Sequence, residues 1–276
     1  MPYASVDDLT VYYAEQGRAD GPPLVLLHGF TGTGNAWAAQ LSAFGASYRL
    51  IIPDLRGHGR TNNPGGLAAM NHRQFARDTI ALCRALGIEH AAFCGHSTGA
   101  MQLLTLALEA PGLAQALVLA GGTYFYGEEL RDWWRGQVPE TLVSGIAAMQ
   151  ARHTAFGPDH WRMVAEAFIA VGTHAHTEDF PEPAALHAIA TPTLIIHGDR
   201  DWFFSVEVPA ELYRMLPDAR LCILPETGHG LPWERPAWFN TIVLDFLAPS
   251  LGAEVPSIGA QDPGDSSQAG SGNASG

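Results

Sequence analysis

The segment Gly95-His96-Ser97-Thr98-Gly99 holds a serine between two glycines and directly follows a short apolar run at 91–94. A G-x-S-x-G segment is weakly informative in a chain with 30 glycines, but at a strand-to-helix junction it is typical of a nucleophilic serine. Such a serine projects from a sharp turn, where small residues on either side avoid a collision between strand and helix. The segment therefore predicts a nucleophile at Ser97.

A neutral serine attacks poorly at pH 7, so it needs a base and a group that orients the base. The segments 197–201 and 226–230 follow the last two apolar runs and contain Asp199, Asp201 and His229. Open α/β sheets gather functional side chains at the carboxyl ends of their strands. We expect His229 to be the base, in the chain order Ser…Asp…His. On the residues alone, both aspartates are candidates for the orienting acid.

Attack on a carbonyl also needs N–H donors for the oxyanion that develops in the transition state. The segment His28-Gly29-Phe30-Thr31-Gly32 closes another apolar run with a glycine-rich turn. We expect the main-chain N–H of Phe30 to pair with that of Thr98. Loss of one such donor typically lowers turnover about 10²–10³-fold.

Short, continuous apolar runs must position these side chains. The runs lie at 24–27, 50–52, 92–94, 117–120, 194–196 and 221–224. Continuous rather than alternating apolar character is typical of strands that are buried on both faces, and amphipathic stretches lie between the runs. This alternation predicts an α/β fold with a mostly parallel, doubly wound sheet of about eight strands. The first strands, around 10–15, alternate more and are expected at an antiparallel edge.

The strand–helix rhythm breaks once, between 123 and 188, where helix formers and aromatic residues predominate. We interpret 123–188 as a small helical cap inserted after the sixth strand; ordinary outer helices of the same domain are the alternative. The core is then expected at 1–122 and 189–250, followed by a disordered Gly/Ser-rich tail at 251–276. The cap aromatics Tyr124, Trp133 and Trp134 either pack inside the cap or line a substrate pocket.

Composition narrows the classes of partner. The chain has 276 residues, 47% of them hydrophobic and 16% charged, with a formal charge of −13. That composition can bury a large core, and its acidity argues against nucleic acid and membrane partners. Three cysteines are too few and scattered for a disulfide framework or a zinc knuckle. With neither a signal peptide nor a membrane-spanning run visible, a soluble cytoplasmic protein is expected.

Taken together, the motifs resemble those of the α/β-hydrolase superfamily, in particular its capped branch, over nearly all of residues 5–250. The matching segments are HGF at 28–30, PDLRGHGR at 53–60, GHSTG at 95–99, HGDRD at 197–201 and GHG at 228–230, followed by Glu234 and Pro236. The resemblance implies that Ser97 is the nucleophile, His229 the base and Asp201 the acid. It also implies main-chain oxyanion donors at Phe30 and Thr98. Two departures are Thr98 itself and the absence of the usual proline after the acid, where 203–205 reads Phe-Phe-Ser.

The resemblance implies a serine hydrolase that cleaves small to medium, largely hydrophobic carboxylic esters through an acyl-enzyme. Cleavage of carbon–carbon bonds or enol-lactones, perhydrolysis, and a slow-turnover ligand receptor on the same fold are the alternatives. No cofactor is expected, because the implied mechanism needs none. No metal is expected either, because the H-x-H pair at 174–176 lacks a second ligand set at zinc spacing. The expected partner is a small-molecule ester, and the oligomeric state stays open between monomer and homodimer.

Overall fold

Eight strands form one sheet in a computed structural model, which describes residues 3–142, 146–174 and 179–251. The strands are β1 (Tyr3–Val6), β2 (Leu9–Gly17), β3 (Pro23–Leu27), β4 (Arg49–Pro53), β5 (Ala91–His96), β6 (Ala114–Ala120), β7 (Thr193–Gly198) and β8 (Ala219–Leu224). Their spatial order is β1-β2-β4-β3-β5-β6-β7-β8. Within this spatial order, each neighbouring pair in the stretch β4-β3-β5-β6-β7-β8 is parallel. Strand β2 pairs antiparallel with both β1 and β4. The predicted mostly parallel sheet with an antiparallel edge is confirmed.

Both faces of this sheet are buried, which explains the continuous apolar runs. Along β3, Val25 and Leu27 face one core cluster, whereas Leu24 and Leu26 face the other. Successive side chains of a strand point to opposite faces, so a strand covered on both sides needs an apolar residue at every position.

Eleven helices are described within the same ranges. They are α1 (Leu41–Gly45), α2 (His72–Ala85), α3 (Thr98–Glu109), α4 (Glu128–Arg135), α5 (Pro139–Leu142), α6 (Ile146–Arg152), α7 (His160–His174), α8 (Pro183–Leu186), α9 (Glu207–Met215), α10 (Leu231–Glu234) and α11 (Pro236–Leu251). Helices α2 and α3 pack against one face of the sheet, and α1 and α11 against the other. Short 3₁₀ helices occupy Gly34–Trp37 and Leu67–Ala69.

Helices α4 to α8 lie between β6 and β7, inside the predicted insertion at 123–188. The division of the chain into core and cap domains stays a prediction. Apart from Leu251 at the end of α11, the predicted tail at 251–276 lies outside the described residues. No helix in the described ranges is long and apolar enough to cross a membrane.

Candidate active site

Ser97 occupies the sharp turn between β5 and α3. Its backbone φ is 53°, in the left-handed region that an L-residue adopts only at a cost. The flanking glycines are sterically required: a Cβ on Gly95 would lie 2.2 Å from the carbonyl oxygen of Gly99, and one on Gly99 would lie 2.0 Å from that of Leu27. The Ser97 N–H donates to the carbonyl of Ala120 on β6 (2.8 Å), which holds the turn against the sheet. The turn therefore presents Ser97 at the carboxyl edge of the sheet.

His229 and Asp201 meet at the same edge, in the loops that follow β8 and β7. His229 Nδ1 donates to Asp201 Oδ2 at 2.7 Å. Asp201 Oδ1 accepts from the main-chain N–H groups of Phe203 (2.9 Å) and Phe204 (3.3 Å), and its side chain is fully buried. Burial by itself raises the pKa of Asp201, but the hydrogen bond and charge of His229, with His197 and the Phe203 N–H, outweigh it and leave that pKa below its ordinary value. Asp201 is therefore held as a carboxylate that fixes the His229 ring.

Asp199, the alternative acid, has a different partner. Its Oδ1 accepts from the main-chain N–H of Thr227 at 3.1 Å, which ties the loop after β7 to the loop after β8. Glu234 holds that second loop from the other side, with Oε2 accepting from the Gly228 N–H (2.7 Å) and Oε1 from the Gly230 N–H (3.0 Å). Of the two aspartates, the structure brings Asp201 to His229.

The predicted oxyanion donors lie in the loop after β3 and at the first residue of α3. Neither the Phe30 nor the Thr98 N–H has a protein acceptor among the described residues. Below them, His28 Nδ1 donates to the Gly29 carbonyl (2.8 Å), and His28 Nε2 accepts from the Leu55 N–H (3.0 Å). These two bonds define the neutral tautomer of His28 and anchor the loop that carries Phe30.

The same loop is bound to the helical segment α4–α8 through His153, the residue after α6. His153 Nε2 donates to the carbonyl of Thr31 (3.0 Å), and its Nδ1 accepts from the Gly59 N–H (3.0 Å). Thr31 itself has a φ of 64°, so the loop adopts a strained conformation at this point. A fully buried side chain thus fixes the end of α6 against the candidate oxyanion loop.

A cavity of about 630 Å³ opens onto Ser97 and His229. It is lined by Gly29, Phe30, Thr31, Gly32, Thr33, Asn35, Ala36, His96, Ser97, Leu142, Arg152, Phe168, Trp202, Phe203, His229 and Trp233. Both Ser97 and His229 are described residues, and Ser97 Oγ makes no hydrogen bond to the His229 ring. Without substrate, this contact in serine hydrolases is often long and tightens in the complex.

The predicted pocket residues have three different placements. Trp134 lines a small crevice that adjoins Ser97 and His229. Tyr124 lines neither the cavity nor the crevice. Its hydroxyl instead donates to Glu211 Oε2 (2.7 Å) on α9. Trp133 also lies outside the cavity and the crevice and packs edge-on against Trp202, with ring centroids 5.0 Å apart. Among the described residues, only Trp134 of the three reaches the candidate site.

The aromatic wall of the cavity was missed by the sequence prediction. Trp202 and Trp233 line it and are 61% and 50% exposed, so they form its rim. Trp202 stacks on Phe203, with centroids 3.7 Å apart, and Phe203 lies 4.8 Å from His229. One available signal was the Trp-Phe-Phe run directly after Asp201; nothing in the sequence pointed to Arg152.

A metal site was not expected, and no cluster of three or more potential ligands occurs among the described residues. The H-x-H pair at 174–176 and its neighbours to 178 lie outside the described side chains.

Several histidines are buried in neutral form. Burial lowers the pKa of His72 to about 3. For His96, burial and then the nearby His229 lower it to about 3, and burial is the main reason that the pKa of His153 falls to about 4. His96 Nε2 donates to the His229 carbonyl (2.8 Å), consistent with a structural role beside the turn that carries Ser97.

These lowered values predict that the fold loses stability in acid. Between pH 6.5 and about 4, the unfolded chain binds protons on His72, His96 and His153 that the folded chain excludes. The free energy of unfolding therefore decreases as the pH falls, by about 2 kcal/mol per such histidine at pH 5. Urea unfolding midpoints at pH 7, 6 and 5 measure this effect.

We expect His72→Gln to reduce the slope of the unfolding free energy against pH by the contribution of roughly one proton. The exposed His187→Gln is the matched control, because it leaves the buried histidines in place. A midpoint that does not change between pH 7 and 5 would contradict the prediction.

Comparisons with known proteins agree with this architecture. A family model described as alpha/beta hydrolase fold matches residues 22–165. An Escherichia coli (strain K12 / DH10B) protein provisionally named carbamate hydrolase RutD is 31% identical over 258 residues, which cover 84% of this chain and 94% of the relative. The enol-lactonase from Burkholderia xenovorans LB400 has a TM-score of 0.74 at 23% identity, covering 90% of this chain and 100% of its own. Est816, reported as an N-acyl homoserine lactone degrading enzyme, has a TM-score of 0.72 at 25% identity, covering 89% and 100%.

Proposed function

The chain belongs to the alpha/beta hydrolase fold family, and we propose that it is a serine hydrolase that cleaves carboxylic esters through a Ser97 acyl-enzyme. One observation supports this most directly. The strained serine of the β5–α3 turn shares a cavity with His229, and the Nδ1 of that histidine is bound to buried Asp201 at 2.7 Å. This is the set of groups that acyl transfer requires.

In the proposed mechanism, His229 Nε2 accepts the hydroxyl proton of Ser97, because Nδ1 is committed to Asp201. Ser97 Oγ then attacks the ester carbonyl. The N–H groups of Phe30 and Thr98 stabilise the oxyanion, and the α3 N-terminus adds a favourable field. His229 next protonates the departing alcohol, and it later activates the water that releases the acid. The aromatic walls of the cavity suit a small to medium acyl or aryl group.

Carbamate hydrolysis is a second candidate, favoured by the name of the 31% identical relative. The first steps are the same, but the intermediate is a carbamoyl-serine, whose carbonyl is less electrophilic and which water attacks more slowly. Lactones are cyclic esters and fall within the main proposal. Carbon–carbon cleavage, perhydrolysis and ligand reception without turnover are the other outcomes that an assay must separate.

The proposal is tested by trapping the intermediate. With p-nitrophenyl butyrate, we expect a p-nitrophenol burst of up to one equivalent and, after rapid acid quench, a butyryl mass increase on the peptide that contains Ser97. The same assay with p-nitrophenyl N-methylcarbamate tests the second candidate, which predicts that the carbamate is turned over faster than p-nitrophenyl butyrate. Binding of both compounds with neither release nor a mass increase would overturn the hydrolase proposal in favour of a receptor.

A further inference from the structure

The cavity at Ser97 is lined by a positively charged side chain that the ester mechanism does not use. Among the described lining residues, Arg152 is the one arginine, and neither aspartate nor glutamate lines the cavity. The chain as a whole carries a formal charge of −13, so its surface disfavours anions in general. A cation in the same cavity as the candidate nucleophile, with no described acid lining that cavity, is therefore a local exception.

Other arginines of the helical segment are paired with acids. Arg131 and Arg135 both contact Glu128, and Arg162 contacts Glu140. Arg152 has no ion pair with any described acidic residue. Within the described part of the chain, no acid therefore competes with an anionic ligand for its guanidinium.

The position of Arg152 follows from its neighbour. Arg152 ends α6, and the next residue, buried His153, is hydrogen-bonded to the Thr31 carbonyl and the Gly59 N–H at 3.0 Å each. These bonds hold the backbone of Arg152 beside the loop that carries the candidate oxyanion donor Phe30. The side chain, although exposed to solvent, therefore projects from a fixed point at the cavity.

We propose that Arg152 binds a carboxylate on the substrate, at the end remote from the scissile carbonyl. A guanidinium matches a carboxylate through two parallel N–H···O bonds, which a neutral ester cannot form. Thr31, Thr33 and Asn35 line the same cavity, and residues with polar side chains are compatible with a polar group there. The substrate class is then an ester with an apolar body and an anionic end, a refinement that rests on the proposed hydrolase function.

Matched substrates and variants test this subsite. The acyl series compares p-nitrophenyl hydrogen adipate with p-nitrophenyl hexanoate, and the alcohol series compares 4-carboxyphenyl butyrate with 4-methylphenyl butyrate. We expect Arg152→Gln to lower the ratio of anionic to neutral kcat/KM about five- to tenfold in at least one series, and 0.5 M NaCl to lower the wild-type ratio. Arg84→Gln is the matched control, because Arg84 is exposed, lies outside the cavity and forms no ion pair with a described acidic residue.

A ratio that is unchanged by Arg152→Gln in both series, or lowered equally by Arg84→Gln, would overturn the proposal. A calorimetric arm separates this failure from failure of the hydrolase function. Binding of the hydrogen adipate ester and of 4-carboxyphenyl butyrate is measured in the Ser97→Ala background, with and without Arg152→Gln, so the subsite is measured even if no ester is turned over. Five- to tenfold weaker binding of at least one of these two anionic esters in the double variant supports the subsite, and equal binding of both overturns it.

Discussion

Ser97→Ala is expected to lower kcat for p-nitrophenyl butyrate by about 10⁴- to 10⁶-fold, because the attacking oxygen is removed and no other described side chain occupies its place. The substitution retains the Cβ and hence the same backbone preference at φ 53°. The folded structure and its melting temperature should therefore change little. Steady-state kinetics, accompanied by thermal unfolding of both proteins, measure the two quantities.

The control is Ser5→Ala, a serine on edge strand β1 that is exposed and far along the sheet from β5. It should retain wild-type kcat and acyl labelling. If Ser97→Ala remained as active as Ser5→Ala, Ser97 would not be the nucleophile and the acyl-enzyme mechanism would be wrong.

Asp201→Asn is the second large effect, with an expected loss of about 10⁴-fold in kcat. An asparagine amide that faces His229 Nδ1 donates a hydrogen bond where the carboxylate accepts one. The ring would then carry its proton on Nε2 and would be unable to take the proton of Ser97. Because the Asp201 side chain is fully buried and bound to two main-chain N–H groups, its position should be preserved.

Asp199→Asn is the matched control, two residues away on the same loop. Its Oδ1 accepts from the Thr227 N–H, and an asparagine oxygen can accept the same bond. We expect its kcat to stay within about threefold of wild type, because isosteric changes that preserve a hydrogen bond have small effects. A large loss in Asp199→Asn with near-normal activity in Asp201→Asn would transfer the role of the acid to Asp199.

Much of the candidate site was predictable because its motifs carry their own geometry. The glycines around Ser97 are required by contacts of 2.0–2.2 Å that any Cβ would make, so the turn is encoded locally. Likewise, continuous apolar runs predict strands buried on both faces, and parallel strands end at one edge. That edge is where the loops carrying Phe30, Asp201 and His229 lie.

Residues of the helical segment were predicted less well. Tyr124, Trp133 and Trp134 form part of one aromatic stretch, yet Tyr124 bonds to Glu211 and only Trp134 adjoins the candidate nucleophile. Aromatic composition does not specify which side of a short helix faces the cavity, because that depends on how helices from distant parts of the chain pack together.

The sequence by itself determined the order of the functional groups along the chain, the sharp turn at Ser97 and the fold class. Local sterics and hydrophobic periodicity act over a few residues, so they can be read from the chain. The tertiary structure brings Asp201 to His229, as the resemblance implied, whereas the residues alone left Asp199 open; only the tertiary structure decided that Arg152 reaches the cavity. Both outcomes depend on long-range contacts, such as the His153 bond to Thr31 across 122 positions, which no local pattern encodes.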